Sequence, residues 1–349
     1  MSTLKELEEQ LNCADEAERT YAAEDIGYLN VAEGVSPLLE RLARESSLAV
    51  RAAIFQALIR IEADAAIEAS IELLGSEDPQ IRNQAVDVLR RKGPQSIPFL
   101  TTSMGKGDKD IRKLVLDVCS GMQGGNAGEL YAKSLSDPDV NVVITAVENL
   151  GRMRVAEFRA RIEELMEADS HPMLTGACLE ALVGIGDKLS LRAIRSRFPD
   201  LTALPDFLLA SYLKAMAALG SATEFGEVAS LLPARGPHLR PPILSALTAI
   251  YPRCPSLEPG ETLLAALRAV VEDGDPPLCR YQAVRVLSFW AARDSVYAFL
   301  VSCLSSTERL VRLGAAESLR MPQRPGLALV LAARVLEESD EEVLQALAR

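Results

Sequence analysis

Apolar positions along this chain recur in one register. An anchor residue is followed by small or apolar residues four, seven and eight positions on, and an Arg often stands directly after the anchor. Val50-Arg51 leads to Ile54, Ala57 and Leu58; Ile81-Arg82 leads to Ala85, Val88 and Leu89; Ile111-Arg112 leads to Val115, Val118 and Cys119. These offsets fall within about one third of the helical circle, so each segment predicts an amphipathic helix. The anchors are Glu18, Val50, Ile81, Ile111, Val142, Leu174, Leu208, Leu239, Cys279, Val311 and Val343, spaced 32, 31, 30, 31, 32, 34, 31, 40, 32 and 32 residues apart. Val140 fits the fifth position almost as well as Val142.

Between these helices lies a second apolar stretch per period, as in Ser36–Leu42, Ile67–Leu74, Ile97–Leu100 and Leu327–Leu336. Each period is therefore two helices of about 10–14 residues joined by short turns. Asp78-Pro79 and Asp137-Pro138 suit helix starts, where Asp accepts from free amides and Pro fits the first turn. Gly27, Gly75, Gly93, Gly151, Gly186 and Gly220 sit where a left-handed residue could close a helix. A lone hairpin of about 31 residues cannot bury its apolar stripe and must stack on its neighbours. The expected fold is all-α: a right-handed α-solenoid of about ten two-helix repeats plus a partial C-terminal repeat from Asp340, one continuous array over 1–349. Length alone suggests about two domains, but the periodicity overrides it. The 40-residue interval holds a Pro-rich insertion at 251–260, expected to be a loop and a site of altered curvature.

Asp78-Pro79, Ile81-Arg82, Ala85 and Leu89, together with Ala181-Leu182-Val183-Gly184-Ile185-Gly186-Asp187, resemble HEAT repeats, in particular the short bacterial HEAT-like class of phycobilisome lyases. The resemblance implies an armadillo-like helical array whose second helices line a concave binding surface. It also implies that Arg19, Arg51, Arg82, Arg112, Arg240, Arg280 and Arg312 form a ladder between stacked repeats, structural rather than catalytic. Val143, Thr175 and Leu209 stand where that Arg would be, so apolar contact is expected to carry the stacking there, with room for a bend or a weaker joint.

Composition narrows the function. The chain has 349 residues, 48% hydrophobic and 5% aromatic, with 49 acidic against 37 basic side chains and a net charge of −12. A polyanion needs clustered cations, so nucleic acid is not the expected ligand, and a helical-repeat DNA-lesion binder of the alkylpurine glycosylase kind is disfavoured with it. The start, Met1 to Glu9, carries no secretory pattern, and no stretch approaches the roughly 20 apolar residues of a membrane span. The longest candidate, Gly326 to Leu336, is about half that length, carries Arg334 and reads as a buried helix. Six scattered Cys without a C-x-x-C pair read as reduced thiols in a cytoplasmic protein. Arg outnumbers Lys 29 to 8, which with the short repeat points to a bacterial source.

Six positions past each anchor, opposite the apolar stripe, stand Glu24, Gln56, Asp87, Asp117, Glu148, Glu180, Lys214, Ser245, Arg285 and Glu317. Asp87, Asp117, Glu148 and Glu180 come from consecutive repeats and would form a row about 30 Å long. Two readings stay open: a groove for a basic or helical segment of a partner protein, or a solvated acidic face diluted by Arg90, Arg91, Lys92, Arg152 and Arg154. Tyr281, at an outward position, is a candidate aromatic contact, while Trp290 reads as core. His171 and His238 lie in turns, the sequence offers no companion motif for a general base, and no His is followed by Glu, which excludes the di-iron hydroxylase of the HEAT class. The Gly-rich stretches 105–107 and 121–128 lack the G-K-[ST] of a phosphate loop. Cys119 and Cys178 read as packing thiols, Cys13 and Cys254 as exposed ones with no adjacent base. No catalytic, cofactor or metal constellation is identified. The sequence predicts a non-enzymatic adaptor or scaffold. The alternative is a bilin-lyase-like or chaperone-like protein that delivers a ligand to its partner, although nothing marks a pigment pocket.

Overall fold

The computed structural model describes residues 3–105, 107–122, 127–168, 171–272, 274–320 and 324–348; Lys106 and residues 123–126 of the Gly-rich turns lie outside them. The fold is all-α, a solenoid of two-helix repeats, with no strand among the described residues. The helices gather into two compact units divided between Met153 and Arg154.

The first unit contains α1 (Leu4–Leu11), α2 (Glu16–Leu29), α3 (Val35–Leu42), α4 (Leu48–Arg60), α5 (Asp64–Leu73), α6 (Pro79–Lys92), α7 (Ile97–Ser103), α8 (Lys109–Ser120), α9 (Gly128–Ser134) and α10 (Val140–Met153). Even-numbered helices are the second members of the hairpins, and α2, α4, α6, α8 and α10 stack in that order. Their starts follow from the turn residues: the side chains of Asp15, Ser47, Asp78 and Asp108 each accept a free amide of the first helical turn. At Asp137-Pro138 the arrangement differs from the sequence expectation. Asp139 takes the Asn141 amide at 2.9 Å, and Asp137 turns to Arg112. The apolar stripe is buried as its spacing requires, with Val50, Ala57, Leu58, Val88, Leu89, Val118 and Val142 shielded from solvent.

Of the six glycines expected to close helices, only Gly93 has a positive φ, 70°; the other positive-φ residues among those described are Asn30, Arg154, Gly274 and Gly326. Gly27 lies inside α2, where a Cβ would stand 2.7 Å from the Ala57 Cα. Its role is the close approach of α2 and α4, and Asn30 closes the helix instead.

The second unit contains α11 (Arg159–Ala168), α12 (Pro172–Ile185), α13 (Lys188–Arg197), α14 (Asp206–Leu219), α15 (Ala222–Ala234), α16 (Arg240–Ile250), α17 (Glu261–Glu272), α18 (Pro277–Leu287), α19 (Asp294–Cys303), α20 (Arg309–Ser318), α21 (Leu327–Val335) and α22 (Glu341–Ala348). Here α12, α14, α16, α18, α20 and α22 stack in series. The insertion at 251–260 is pinned on both sides. The Tyr251 ring stacks on Phe289 at 3.9 Å, Trp290 Nε1 donates to the Leu257 carbonyl at 2.7 Å, and Arg253 donates to the carbonyls of Ala217 and Gly220 at 2.7 Å each. Cys254, expected to be an exposed thiol, is buried beneath this cluster. The buried helix expected at Gly326–Leu336 forms as α21 but leaves Leu329 77% and Leu336 88% exposed.

Candidate functional site

Arg19, Arg51, Arg82, Arg112 and Arg312 reach back to carbonyls of the turn before their own helix, and Arg19, Arg51, Arg112, Arg240 and Arg312 reach across to an acid of the next repeat. Arg19 Nε donates to Glu45 at 2.9 Å, Arg51 Nη1 to Asp78 at 3.0 Å, and Arg112 forks on Asp137 at 2.8 and 2.7 Å. In the second unit Arg240 binds Asp275, and Arg312 forks on Glu338 at 2.7 and 3.0 Å. Among the described residues, Arg82 donates to the carbonyls of Ser76 and Glu77, and Arg280 to that of Val271. The acidic partners Glu45, Asp275 and Glu338 went unread in the sequence, and Asp137 reads there as a helix start rather than as the partner of Arg112. Their signal is an acid 25 to 27 residues after the arginine, or 35 where the insertion intervenes. Burial alone would raise the Glu45 carboxyl, but hydrogen bonds from Arg19, the Ser47 amide and Arg41 outweigh it and hold it at about 2. Arg312 likewise holds Glu338 at about 2 against burial. Val143, Thr175 and Leu209, which replace the arginine, are buried.

A second set of links runs along the far ends of the second helices. The Asn30 side chain accepts the Glu62 amide at 2.6 Å, and Lys92 Nζ donates to the Ile61 carbonyl. Both satisfy backbone groups that a helix end leaves open.

The outward face of the second helices in the first unit carries Glu24, Gln56, Asp87, Asp117 and Glu148, all exposed or half-buried. The cations one turn further on are engaged elsewhere. Arg91 pairs with Asp87 at 2.9 Å, Arg90 donates to the Asp117 backbone carbonyl at 3.0 Å, Arg152 binds Asn149, and the Arg60 guanidinium lies 4.4 Å from the centroid of the Tyr28 ring. The expected row of equal carboxylates is therefore uneven. Asp87 is neutralised within its own helix, whereas Asp117 and Glu148 form no ion pair among the described residues. Between α4 and α6, a groove of about 370 Å³ is lined by Leu48, Ala52, Phe55, Ile81, Asn83 and Gln84. The sequence reading missed this groove, because Leu48 and Asn83 belong to neither the apolar stripe nor the acidic positions.

In the second unit, Glu180 accepts from Lys214 Nζ at 2.7 Å and from Ser211, and Lys214 foremost lowers its carboxyl. Tyr281 is half-buried, and its hydroxyl donates to Glu317 at 2.8 Å; the same carboxylate pairs with Arg285 at 2.7 Å. Burial and this bond raise the Tyr281 hydroxyl above its ordinary value. His238 pairs with Asp206 at 2.7 Å, and Asp206 also takes Arg235. Burial pushes the thiols of Cys119 and Cys303 up to about 12 and that of Cys279 to about 11, far from thiolate chemistry near neutral pH. Among the described residues no cluster of three His, Cys, Asp or Glu is placed to hold a metal, and no helix is long and apolar enough to cross a membrane.

A family model of HEAT repeats matches residues 4–89 and 35–118. No curated protein matches the chain in sequence. In fold the chain is similar to a karyopherin chain from a structure in which Kap95p binding induces the switch loops of RanGDP to adopt the GTP-bound conformation. That match has a TM-score of 0.64 and 13% identity over 99% of this chain and 56% of the other. It is also similar to Kap121p bound to Ste12p, with a TM-score of 0.57 and 14% identity over 99% of this chain and 44% of that one. The chain thus spans about half the length of these solved structures. At such identities the likeness is one of fold.

Proposed function

We propose that the chain is a non-enzymatic scaffold that binds a basic segment of a partner protein along the outward face of the second helices in its first unit. The observation that carries this reading is the pair Asp117 and Glu148. They project from consecutive second helices with open carboxylates, while Arg90, Arg91 and Arg152 are bound to other groups. A net charge of −12 adds long-range attraction for a basic partner. Glu24 extends the contact, Asp87 joins it only on releasing Arg91, and the groove beside Phe55 and Ile81 takes apolar side chains of the same segment. Glu180, Glu317 and Tyr281 are secondary contact points on the second unit, since each must first release a partner within the chain. Likeness in fold to karyopherins solved with RanGDP and with Ste12p supports a protein-binding role. We also read 1–349 as one uninterrupted array of such repeats.

The test is a panel of fluorescent basic, acidic and neutral helical peptides titrated into wild type and the double variant Asp117→Lys, Glu148→Lys. Wild type is expected to select basic peptides with salt-sensitive affinity, and the variant to bind them at least about tenfold more weakly. Equal binding by both proteins, or selection of acidic peptides, would remove this face from the function.

A further inference from the structure

Helix α7 is the short first helix of its repeat, and it leaves apolar surface uncovered. It has seven residues, about 10 Å of helix, against the ten of α5, about 15 Å. A shift of 30 residues, the spacing of the anchors Ile81 and Ile111, places Ile97, Phe99 and Met104 on Ile67, Ala69 and Leu74. Those three are shielded from solvent, whereas Ile97, Phe99 and Met104 are half-buried. Ile111 is half-buried too, where the anchors Val50 and Val142 are fully covered.

The uncovered surface forms a groove of about 560 Å³, lined by Glu68, Ile71 and Glu72 of α5, Phe99 and Thr102 of α7 and Ile111 of α8. Its floor is apolar and its α5 rim is acidic. Helix α5 carries Asp64, Glu68 and Glu72 and no Lys or Arg, and α7 carries no charged residue. The side chains of Glu68 and Glu72 are exposed and form no ion pair or hydrogen bond among the described residues. Lys109 and Asp110, in the first turn of α8, are not among the walls and offset each other.

We propose that this groove holds a linear segment of another protein in which one large apolar residue is flanked by Lys or Arg. The apolar side chain lies between Ile71, Phe99 and Ile111, within the size range of a pocket that takes such a group. The flanking cations reach Glu68 and Glu72, which stand one helical turn apart, about 6 Å. Beside apolar walls an ion pair is stronger than in open water. An acidic segment meets like charge at this rim, and a neutral apolar one gains nothing from it. The net charge of −12 opposes a second copy of the chain and favours a basic partner. The site lies on first helices and uses neither Asp117 nor Glu148, so it stands apart from the reading of the second helices.

Fluorescence anisotropy with the labelled peptide Gly-Ser-Lys-Phe-Lys-Ser-Gly, titrated with the full chain to about 1 mM, tests this. Wild type is expected to bind it at least about tenfold more tightly than peptides with Glu for both Lys or Ala for Phe. The double variant Glu68→Lys, Glu72→Lys, and separately Thr102→Trp, which fills the groove from an exposed position, should each weaken binding at least about tenfold with unchanged thermal melts. In the Asp117→Lys, Glu148→Lys chain the peptide should still bind within about threefold of wild type. Loss in that chain alone would move the contact to the second helices and overturn this proposal while sparing that reading. The variant Lys106→Ala, which removes the cation next to Gly107 in sequence, should leave the affinity unchanged; a peptide bound only after that change would mean the groove is filled from within the chain. No binding by wild type, equal binding of the three peptides, or indifference to the Glu68, Glu72 and Thr102 changes would likewise overturn it.

Discussion

Glu45 illustrates what one residue contributes here. It is buried at the start of a repeat, accepts from Arg19, Arg41 and the Ser47 amide, and has its carboxyl held at about 2. Glu338 occupies the matching place in the second unit, under Arg312. A carboxyl depressed in the folded state contributes stability that is complete above its ordinary value of 4.5 and is lost as pH falls from there towards about 2. The melting temperature is therefore expected to drop by about 5 °C or more between pH 5 and pH 3. A variant with Arg19→Met and Arg312→Met should melt lower at pH 6 and respond less to acid. A wild-type melting temperature flat across that range would show that these pairs do not govern acid stability. The arginines were visible in the sequence because they follow an anchor. Of their acids, Asp78 and Asp137 were visible as helix starts, but Glu45, Asp275 and Glu338 were not, since an acid before a helix start looks like any polar turn residue until the neighbouring repeat is placed beside it.

At the scale of the helix, glycine separates packing from propensity. Gly27 and Gly226 both lie inside helices, but a Cβ at Gly27 meets the backbone of Ala57, whereas at Gly226 nothing stands within 4 Å. Gly27→Ala is expected to destabilise by about 1–3 kcal/mol, because α2 must move away from α4. Gly226→Ala should stabilise by about 0.5–1 kcal/mol through helix propensity alone. Chemical denaturation of the two variants checks both signs, and a neutral Gly27→Ala would mean that the α2–α4 contact yields easily. The second helices were legible from the register of Val50, Ala57 and Leu58 and their equivalents, because an apolar stripe can face only one way. The ends were less so. Asn30, rather than Gly27, closes α2, since an asparagine tolerates the left-handed conformation and leaves the glycine for packing. Helix α21 misled for the opposite reason: its apolar composition predicted burial all round, yet Leu329 and Leu336 face solvent and only Leu327 is shielded.

For the whole molecule, periodicity overrode the length prior and gave the all-α solenoid, while the candidate face was only half legible. The sequence places carboxylates on the outward side of the second helices but does not reveal that Arg91 and Lys214 have already claimed two of them. Reading the chain as one uninterrupted array predicts a single cooperative calorimetric transition, because each repeat draws its stability from its neighbours. Two well-separated transitions would instead assign independent stability to the parts on either side of Met153. The arginine links carry one more implication. Arg51, Arg112 and Arg312 each recognise an acid by its position in the turn of whichever repeat comes next, and nothing in that contact identifies which repeat it is. Such a joint is interchangeable. Where a duplicated or deleted period carries both the arginine and the acid, the donor–acceptor pairing at that seam is preserved, so the array can change length at its linked joints with the seam chemically intact.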